Sequence, residues 1–253
     1  MDRSDWHPLR EESGIPIKGP EEKKPLPETW YAQHGEDRKL CELLGGTKNG
    51  LQEYEHSDGS RIETPGFYID VGSWHPSIDS VTKYFYDRGW NGINIEPVVE
   101  YNERVKEERP RDINLPIAVS DHMGVFPFSF IPETGLSTFH EENAKNGENM
   151  TGRQIETRNV ITWTLGRVCE VYVPRGKKIE FLKIDVEGYE EQVLVGANFH
   201  SYRPKIVVVE ATVPGTQDAT AVPAWENWEH ILLSQDYEFL EFDGLNRWYR
   251  DNA

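Results

Sequence analysis

Short apolar runs that end in an acidic residue recur along the chain and alternate with segments of helical periodicity. GFYIDVG, GINIEP, IEFLKIDVEG and PKIVVVE have the length and the Gly or Pro boundaries of buried strands. SIDSVTKYFYDRGW and VEYNERVKEERP have apolar residues at helical spacing, and Pro110 stops the second. This alternation predicts an α/β fold with a doubly wound, mostly parallel sheet. The last run, YEFLEFDGLNRWYR, predicts a C-terminal antiparallel hairpin.

The stretch between GINIEP and IEFLKIDVEG has a weaker pattern. INLPIAVSD predicts a third strand that ends at Asp121, and VFPFSFI alternates like an edge strand. GLSTFHEENAKNGENMTGRQ is polar and rich in Gly and Asn, which predicts a long functional loop with HEENAKNGEN as its lid. RNVITWTL and CEVYV are predicted as further strands or turns. We therefore expect residues 122–163, approximately, to form an insertion that contains the lid and the acceptor region.

The N-terminal segment differs from the rest of the chain in composition. Residues 1–28 are rich in Pro, Glu and Lys and have no regular periodicity, so they bury too little surface to offset the entropy of ordering. We predict a flexible extension at 1–28 and one folded domain at 29–253. The sequence has no apolar run of membrane-spanning length and no secretory signal, and Cys41 and Cys169 lack disulfide or zinc spacing. A cytoplasmic protein without a membrane span is expected.

The charge balance restricts the class of partner. Lys and Arg number 27 and Asp and Glu number 44, which gives a formal net charge of −17. A phosphate backbone would be repelled by such a chain, so nucleic acid is not expected as a substrate. A small molecule or a glycan is the expected partner.

Acidic residues stand at the ends of five predicted strands. They are Asp70, Glu96, Asp121, Asp185 and Glu210. In an open α/β sheet, ligands bind outside the carboxyl ends of the strands, near the point where the strand order reverses. One such acid can simply cap a helix, but five in chain order favour a binding site.

The spacing of Gly72 and Glu96 indicates the kind of cofactor. Glu96 lies 24 residues after Gly72, where an acid can accept hydrogen bonds from both hydroxyls of a ribose. The turn after Gly72 lacks the G-x-G-x-x-G pattern that brings a helix N-terminus against a pyrophosphate. A nucleoside cofactor without phosphate, with a sulfonium and an amino-acid tail, fits this acidic pocket. The pattern therefore favours S-adenosylmethionine over a dinucleotide.

The motifs of the central region resemble those of the FkbM-type methyltransferases. GFYIDVG, INIEP, AVSD and LKIDVEGYEEQVLVGA carry the resemblance, together with YAQHGEDRKL upstream and ITWTL before the fourth strand. It spans approximately residues 31–210, and LKIDVEG is its most specific element. The resemblance implies a Rossmann-like class I methyltransferase that uses S-adenosylmethionine.

The resemblance also implies which residues bind the cofactor. Asp70 and Gly72 would lie on its methionine side, and Glu96 would hold the ribose. Asp121 would face the adenine amino group, and two residues of YAQHGEDRKL would close over the cofactor. The cofactor-binding residues expected are Gln33, Asp37, Asp70, Gly72, Ser73, Glu96, Pro97, Ser120 and Asp121.

The residues that would ionise the acceptor are acidic as well. Asp185 is the first candidate for a general base, with Glu187 and Glu210 next, although Asp185 can instead cap the following helix. The same three carboxylates are the right ligands for Mg²⁺, and their spacing leaves base and metal ligand open. His75, at a turn that is more Gly-rich in many relatives, is a further catalytic candidate on the acceptor side.

The function expected from these features is O-methylation of a hydroxyl on a sugar or glycan. The alternatives are O-methylation of a small natural product or a lipid headgroup, and a nucleoside-binding module without catalysis. A nicotinamide-dependent sugar enzyme is a further alternative, which the missing glycines disfavour.

Overall fold

The computed structural model describes residues 29–44, 51–55, 61–214, 216 and 222–253. The predicted extension at 1–28 lies outside these residues. Within them, no helix has both the length and the apolar character needed to cross a membrane.

The described elements follow one another in an α/β order. They are α1 (Glu36–Leu43), β1 (Leu51–Glu55), β2 (Arg61–Pro65), β3 (Phe67–Val71), α2 (Lys83–Asp87), β4 (Asn91–Ile95), α3 (Val99–Glu108), β5 (Ile113–Leu115), β6 (Ala118–Val119), β7 (Gly124–Phe130), α4 (Glu141–Thr151), β8 (Glu156–Trp163), α5 (Leu165–Tyr172), β9 (Phe181–Ile184), α6 (Glu190–Val195), β10 (Ile206–Glu210), α7 (Glu229–Leu233), β11 (Tyr237–Phe242) and β12 (Asn246–Asp251).

Seven of the strands form the main sheet, in the order β11-β12-β10-β9-β3-β4-β5. The central strands β10, β9, β3, β4 and β5 are parallel, whereas β12 is antiparallel to both β10 and β11. This arrangement confirms the predicted mostly parallel sheet with a C-terminal antiparallel hairpin. The chain runs outward from β3 to β5 and then returns to β9 on the other side of β3, so the order reverses between β3 and β9.

The core explains why the central strands read as continuous apolar runs. Every residue of β3 and β10 is buried, because helices cover both faces of a parallel sheet. On one side Trp90, Phe85 and Phe181 pack ring against ring, with centroids 4.8–6.2 Å apart. Each such ring stabilises the fold by about 1.5–3 kcal/mol through burial.

The predicted third strand is divided between two sheets. β5 ends at Leu115 in the main sheet, and β6 begins at Ala118 in a separate three-stranded sheet with the order β6-β8-β7. Pro116, which has no N–H to donate, stands between them and prevents continued pairing. The prediction that this strand carries Asp121 to the edge of the main sheet is therefore wrong. The prediction of β7 as an edge strand is confirmed, since β7 is the last strand of this sheet, next to β8.

Three helix predictions are corrected. The polar segment predicted as a loop contains the helix α4, and CEVYV, predicted as a strand or turn, has all but its last residue in α5. The Thr164 hydroxyl accepts a hydrogen bond from the Arg167 N–H and caps α5. The predicted helix after β3 is shorter than expected, because residues 76–79 form bends and α2 begins at Lys83.

Candidate functional site

The carboxyl ends of β3, β4 and β9 open into a cavity of about 270 Å³. The cavity lies where the strand order reverses, which is the usual ligand position in open α/β sheets. Of the residues predicted for the site, those that line it are Gln33, Asp70, Gly72, Ser73, Glu96, Pro97, Asp185 and Glu187.

Gly72 lets two strand ends approach closely. Its φ is 86°, and a Cβ atom at this position would lie 1.8 Å from the carbonyl oxygen of Asp185. The Gly72 N–H donates to the Ile95 carbonyl, so this turn is fixed to β4 as well. Only glycine fits here without displacing the backbone after β9.

Asp70, at the end of β3, is held by a chain of buried polar groups. It is 2% exposed, and the Thr82 hydroxyl donates to its Oδ2 over 3.1 Å. The Arg109 guanidinium, itself buried, donates to the Thr82 hydroxyl over 2.6 Å. Burial raises the pKa of Asp70, which Lys183 and Arg109 partly offset. This network fixes the carboxylate in the cavity wall.

Glu96 presents its carboxylate from the end of β4. The Val98 N–H donates to Oε1 over 2.8 Å and the Trp74 N–H donates to Oε2 over 3.1 Å. Burial raises the pKa of Glu96 to about 7, against the opposing effect of these two amides. Each oxygen keeps a second lone pair, so the carboxylate can accept two further hydrogen bonds from a ligand diol.

Lys183 is a buried cation in the cavity wall that the sequence analysis did not identify. It lies in β9, and its Nζ atom is 3.1 Å from Asp185 Oδ2 and 3.7 Å from Asp70 Oδ1. It also donates to the Gly72 carbonyl over 3.1 Å. These carboxylates raise the pKa of Lys183 although burial opposes them, so the side chain stays charged. The available signal was a lysine inside an otherwise apolar strand.

Asp185, Glu187 and Glu210 come together on the other side of β3 from Glu96. One carboxylate oxygen of each lies within 4.8 Å of those of the other two. Burial, together with the neighbouring carboxylates, raises the pKa of both Glu187 and Glu210 well above the usual value of a glutamate. Glu210 is in this cluster but does not line the cavity, whereas the other two do.

The turn that carries Glu187 is attached to the segment 131–143. Glu187 has a φ of 57°, which is uncommon for a residue other than glycine. The Thr138 hydroxyl and the Asn143 amide both donate to the Glu187 carbonyl over 2.9 Å. The Glu190 carboxylate accepts from the N–H groups on either side of Glu187, over 3.1 Å each. These bonds hold the turn in its strained conformation.

Aromatic rings form another part of the cavity wall. Phe139 contacts Phe128 and Tyr189, with ring centroids 4.9 Å apart in both pairs. Trp74 has a φ of 39° and its ring lies beneath Gly135, whose Cβ position is 3.6 Å from it. These side chains and Leu136 give the cavity an apolar wall.

Two predicted residues support the backbone outside the cavity wall. Asp37 is fully buried and accepts from the Tyr31 and Ala32 N–H groups, so it holds the segment that carries Gln33. His75 does not line the cavity, because its Nδ1 accepts from the backbone N–H groups of residues 77 and 78.

Ser120 and Asp121 lie outside the cavity wall as well. Ser120 is buried and donates to Asp121 Oδ1 over 3.0 Å, and Asp121 pairs with His122 at the surface. Both residues follow β6, which belongs to the three-stranded sheet and not to the main sheet. Glu36, which sequence reasoning missed, does line the cavity, and the Asn246 side chain donates to its carboxylate over 3.0 Å.

The fold is that of the Rossmann-like methyltransferase class. The family model described as the methyltransferase FkbM domain matches residues 70–239, which is more than half of the chain. The chain therefore belongs to the FkbM methyltransferase family and is a methyltransferase, as the resemblance indicated. Membership points in general to S-adenosylmethionine as the methyl donor. The chain matches no curated protein and no solved structure.

Proposed function

We propose that this methyltransferase transfers the methyl group of S-adenosylmethionine to a hydroxyl of a sugar or glycan. The observation that carries the proposal is the pairing, around one cavity, of two groups of carboxylates. Glu96 lies on one side of β3 and is arranged to accept from a ribose, while Asp185 and Glu187 lie on the other side.

The donor half of the cavity fits a nucleoside that carries a positive charge. Glu96 would accept hydrogen bonds from the ribose hydroxyls, and Asp70, Gly72 and Ser73 would contact the methionine part. The Ser73 hydroxyl is buried and has no hydrogen-bond partner among the described residues, so it is available to a ligand. When bound, S-adenosylmethionine supplies a methyl group on a sulfonium, whose charge suits an acidic wall.

The acceptor half combines polar and aromatic groups. Phe139 and Tyr189 offer ring faces, against which the C–H face of a sugar can pack, and Ser137 lines the same wall. Sites for polar small molecules typically combine an apolar wall with a few placed polar groups. The acceptor region expected at residues 122–163 supplies Phe139 and Ser137.

The chemistry asked of the protein is positioning and deprotonation. The acceptor oxygen attacks the methyl carbon, the C–S bond breaks, and its electron pair remains on sulfur as a neutral thioether. Holding the oxygen about 3 Å from that carbon contributes up to roughly 7–11 kcal/mol. The hydroxyl proton must leave, and Asp185 with its two neighbouring glutamates forms the acidic group nearest to the proposed acceptor.

The apolar wall also favours a second acceptor class, a small natural product with an apolar body. Phe128, Leu136 and Phe139 line the cavity with apolar side chains, against which an apolar body can pack. A lipid headgroup would contact the same polar residues and would not pack against the apolar wall. The donor residues are identical for all three acceptors, so only an acceptor screen separates them.

The test has two parts. Calorimetric titration should give saturable binding of S-adenosylmethionine and of its demethylated product, S-adenosylhomocysteine. Purified protein with labelled S-adenosylmethionine is then offered nucleotide sugars, oligosaccharides, polyketide-like alcohols and lipid headgroups, and methylated products are identified by mass spectrometry. An Asp185→Asn variant, which can still accept from Lys183, should bind the donor and lose most turnover. Absence of donor binding would refute the proposal, and methylation confined to non-sugar alcohols would refute the acceptor class.

A further inference from the structure

We propose that Asp185, Glu187 and Glu210 bind a divalent cation, which holds two neighbouring oxygens of the acceptor. The inference rests on the proposed O-methyltransferase function and deepens it, because it names what positions and ionises the acceptor. It also narrows the acceptor to molecules with vicinal oxygen atoms, such as a sugar diol.

The geometry of the three carboxylates suits a hard cation. Asp185 and Glu187 follow β9, and Glu210 ends the neighbouring parallel strand β10, so the two strand ends bring them to one place. Their closest oxygens all lie within 4.8 Å of one another. Oxygen ligands of Mg²⁺ stand about 3–4.2 Å apart and those of Ca²⁺ up to about 5 Å apart. Small side-chain rotations therefore complete either coordination.

A second observation at Glu210 points independently to a ligand. The residue is 8% exposed, and its Oε2 atom has no hydrogen-bond partner in the part of the chain that the structure describes. More than about 90% of buried polar atoms in proteins are paired. A carboxylate oxygen is satisfied by a donor or by a cation, and the carboxylates of Asp185 and Glu187 lie next to that of Glu210.

Among the described residues, Lys183 is the only cation that forms an ion pair with any of the three carboxylates of the cluster. Lys183 contacts Asp185 Oδ2 and Asp70, and this leaves Oδ1 of Asp185 for another ligand. Neither Glu187 nor Glu210 forms an ion pair within the described residues. Three carboxylates without a thiolate or an imidazole select Mg²⁺, Mn²⁺ or Ca²⁺ over zinc.

Coordination by three protein oxygens leaves about three positions of an octahedral ion for other ligands. Two vicinal oxygens of a sugar can occupy adjacent positions, which fixes the orientation of the reacting hydroxyl. A bound cation lowers the pKa of a coordinated hydroxyl. The proton then passes to water, the oxygen attacks the methyl carbon, and the sulfur leaves with the C–S electron pair.

The experiment measures cation binding directly. Full-length protein is stripped with a chelator and titrated with Mn²⁺, with free Mn²⁺ followed by electron paramagnetic resonance and competition by Mg²⁺ and Ca²⁺. We expect one saturable site per chain, weakened about tenfold or more in Glu210→Gln. The matched control is Glu103→Gln, an exposed glutamate on α3 whose loss should leave this site unchanged. Glu187→Gln, which changes a less buried position, is the second variant and serves if Glu210→Gln does not fold.

Parallel titration of the stripped protein with S-adenosylmethionine separates the two proposals. Donor binding without any saturable cation site refutes the cation and leaves the methyltransferase proposal standing. The same holds if both site variants bind Mn²⁺ as the control does. If the wild-type protein binds Mn²⁺ but does not bind S-adenosylmethionine, the proposed donor site is refuted instead. A site that is present, is lost in Glu210→Gln and persists in Glu103→Gln supports the cation.

Discussion

Glu96→Gln is expected to weaken S-adenosylmethionine binding while leaving the chain folded. In the structure each carboxylate oxygen of Glu96 already accepts one backbone N–H, from Val98 and from Trp74. A glutamine has one oxygen and one NH₂, so its nitrogen must face one of these two N–H groups. One backbone hydrogen bond is therefore lost, which costs about 1–3 kcal/mol.

The effect on the ligand follows from the same geometry. Two hydrogen bonds from ribose hydroxyls to the charged carboxylate contribute about 1.5–3 kcal/mol each, and glutamine keeps one neutral acceptor worth about 0.5–1.5 kcal/mol. The difference is about 2.5–4.5 kcal/mol, which corresponds to a roughly 60- to 1,600-fold higher Kd.

The pH dependence provides an independent check. The pKa of Glu96 is raised to about 7, so the folded protein binds this proton more tightly than the unfolded chain does. Protonated Glu96 therefore contributes to the free energy of unfolding. This contribution is complete below the usual pKa of a glutamate and falls by about 3 kcal/mol as pH rises through 7. Glutamine does not titrate. The stability difference between wild type and variant should thus shift by about 3 kcal/mol in favour of the variant between pH 4.5 and pH 8.

The assays are calorimetric titration with S-adenosylmethionine at pH 8 and urea unfolding across this pH range. Wild-type affinity should also fall as pH drops below about 7, because binding then requires loss of the Glu96 proton. A Kd change of less than about threefold in Glu96→Gln would refute the ribose role. A stability difference independent of pH would refute the raised pKa.

Three further substitutions test the cavity wall. Lys183→Met leaves buried carboxylates without their cation and should cost about 3 kcal/mol or more in urea unfolding, with loss of donor binding; a change below 1 kcal/mol would contradict the ion-pair role. Gly72→Ala should prevent normal folding through the clash at 1.8 Å, whereas Gly152→Ala, with a φ of 69° and open space, should cost only about 1–2 kcal/mol by thermal unfolding; equal effects would contradict the clash. Thr138→Val removes a donor to the Glu187 carbonyl and should lower kcat about tenfold or more while leaving the donor Kd unchanged; an unaltered kcat would show that the turn is held without it.

The main sheet was predictable because each of its central strands is a short apolar run, which is typical of a buried strand. β3, β9 and β10 are short and mostly apolar, as expected of strands covered on both faces. The length of α2 was not predictable, because the bends at residues 76–79 depend on a side chain that is distant in the sequence. Arg109 donates to Ser80 and Pro76 from a position that only the folded chain brings near them.

The helix α4 shows a second limit of pattern reasoning. Its sequence is rich in Asn and contains Gly147, and both features lower helix propensity. In the fold a Cβ at Gly147 would lie 2.6 Å from Ile131, and Ala144 is buried beside it. Close packing under the segment 131–140 therefore requires small residues at these positions. Tertiary contact overrides a composition that is typical of a loop.

The site was predictable to the extent that strand ends define it. Asp70, near the end of β3, and Glu96 and Asp185, directly after β4 and β9, reach the cavity. Asp121 instead follows a strand that Pro116 diverts into the other sheet. The sequence pattern groups Glu210 with Asp185 and Glu187, and the parallel pairing of β9 with β10 brings the three carboxylates together.

Lys183 connects the two halves of the cavity, which restricts how each can be tested. Its ammonium group contacts Asp70, on the proposed donor side, and Asp185, in the acidic cluster. Removing it therefore perturbs both halves at once, and a loss of activity in such a variant assigns no role to either. Glu96 and Glu210 form no ion pair with Lys183 in the structure, and they lie on opposite sides of β3. Substitutions at these two positions are consequently the ones that separate donor binding from events at the acceptor.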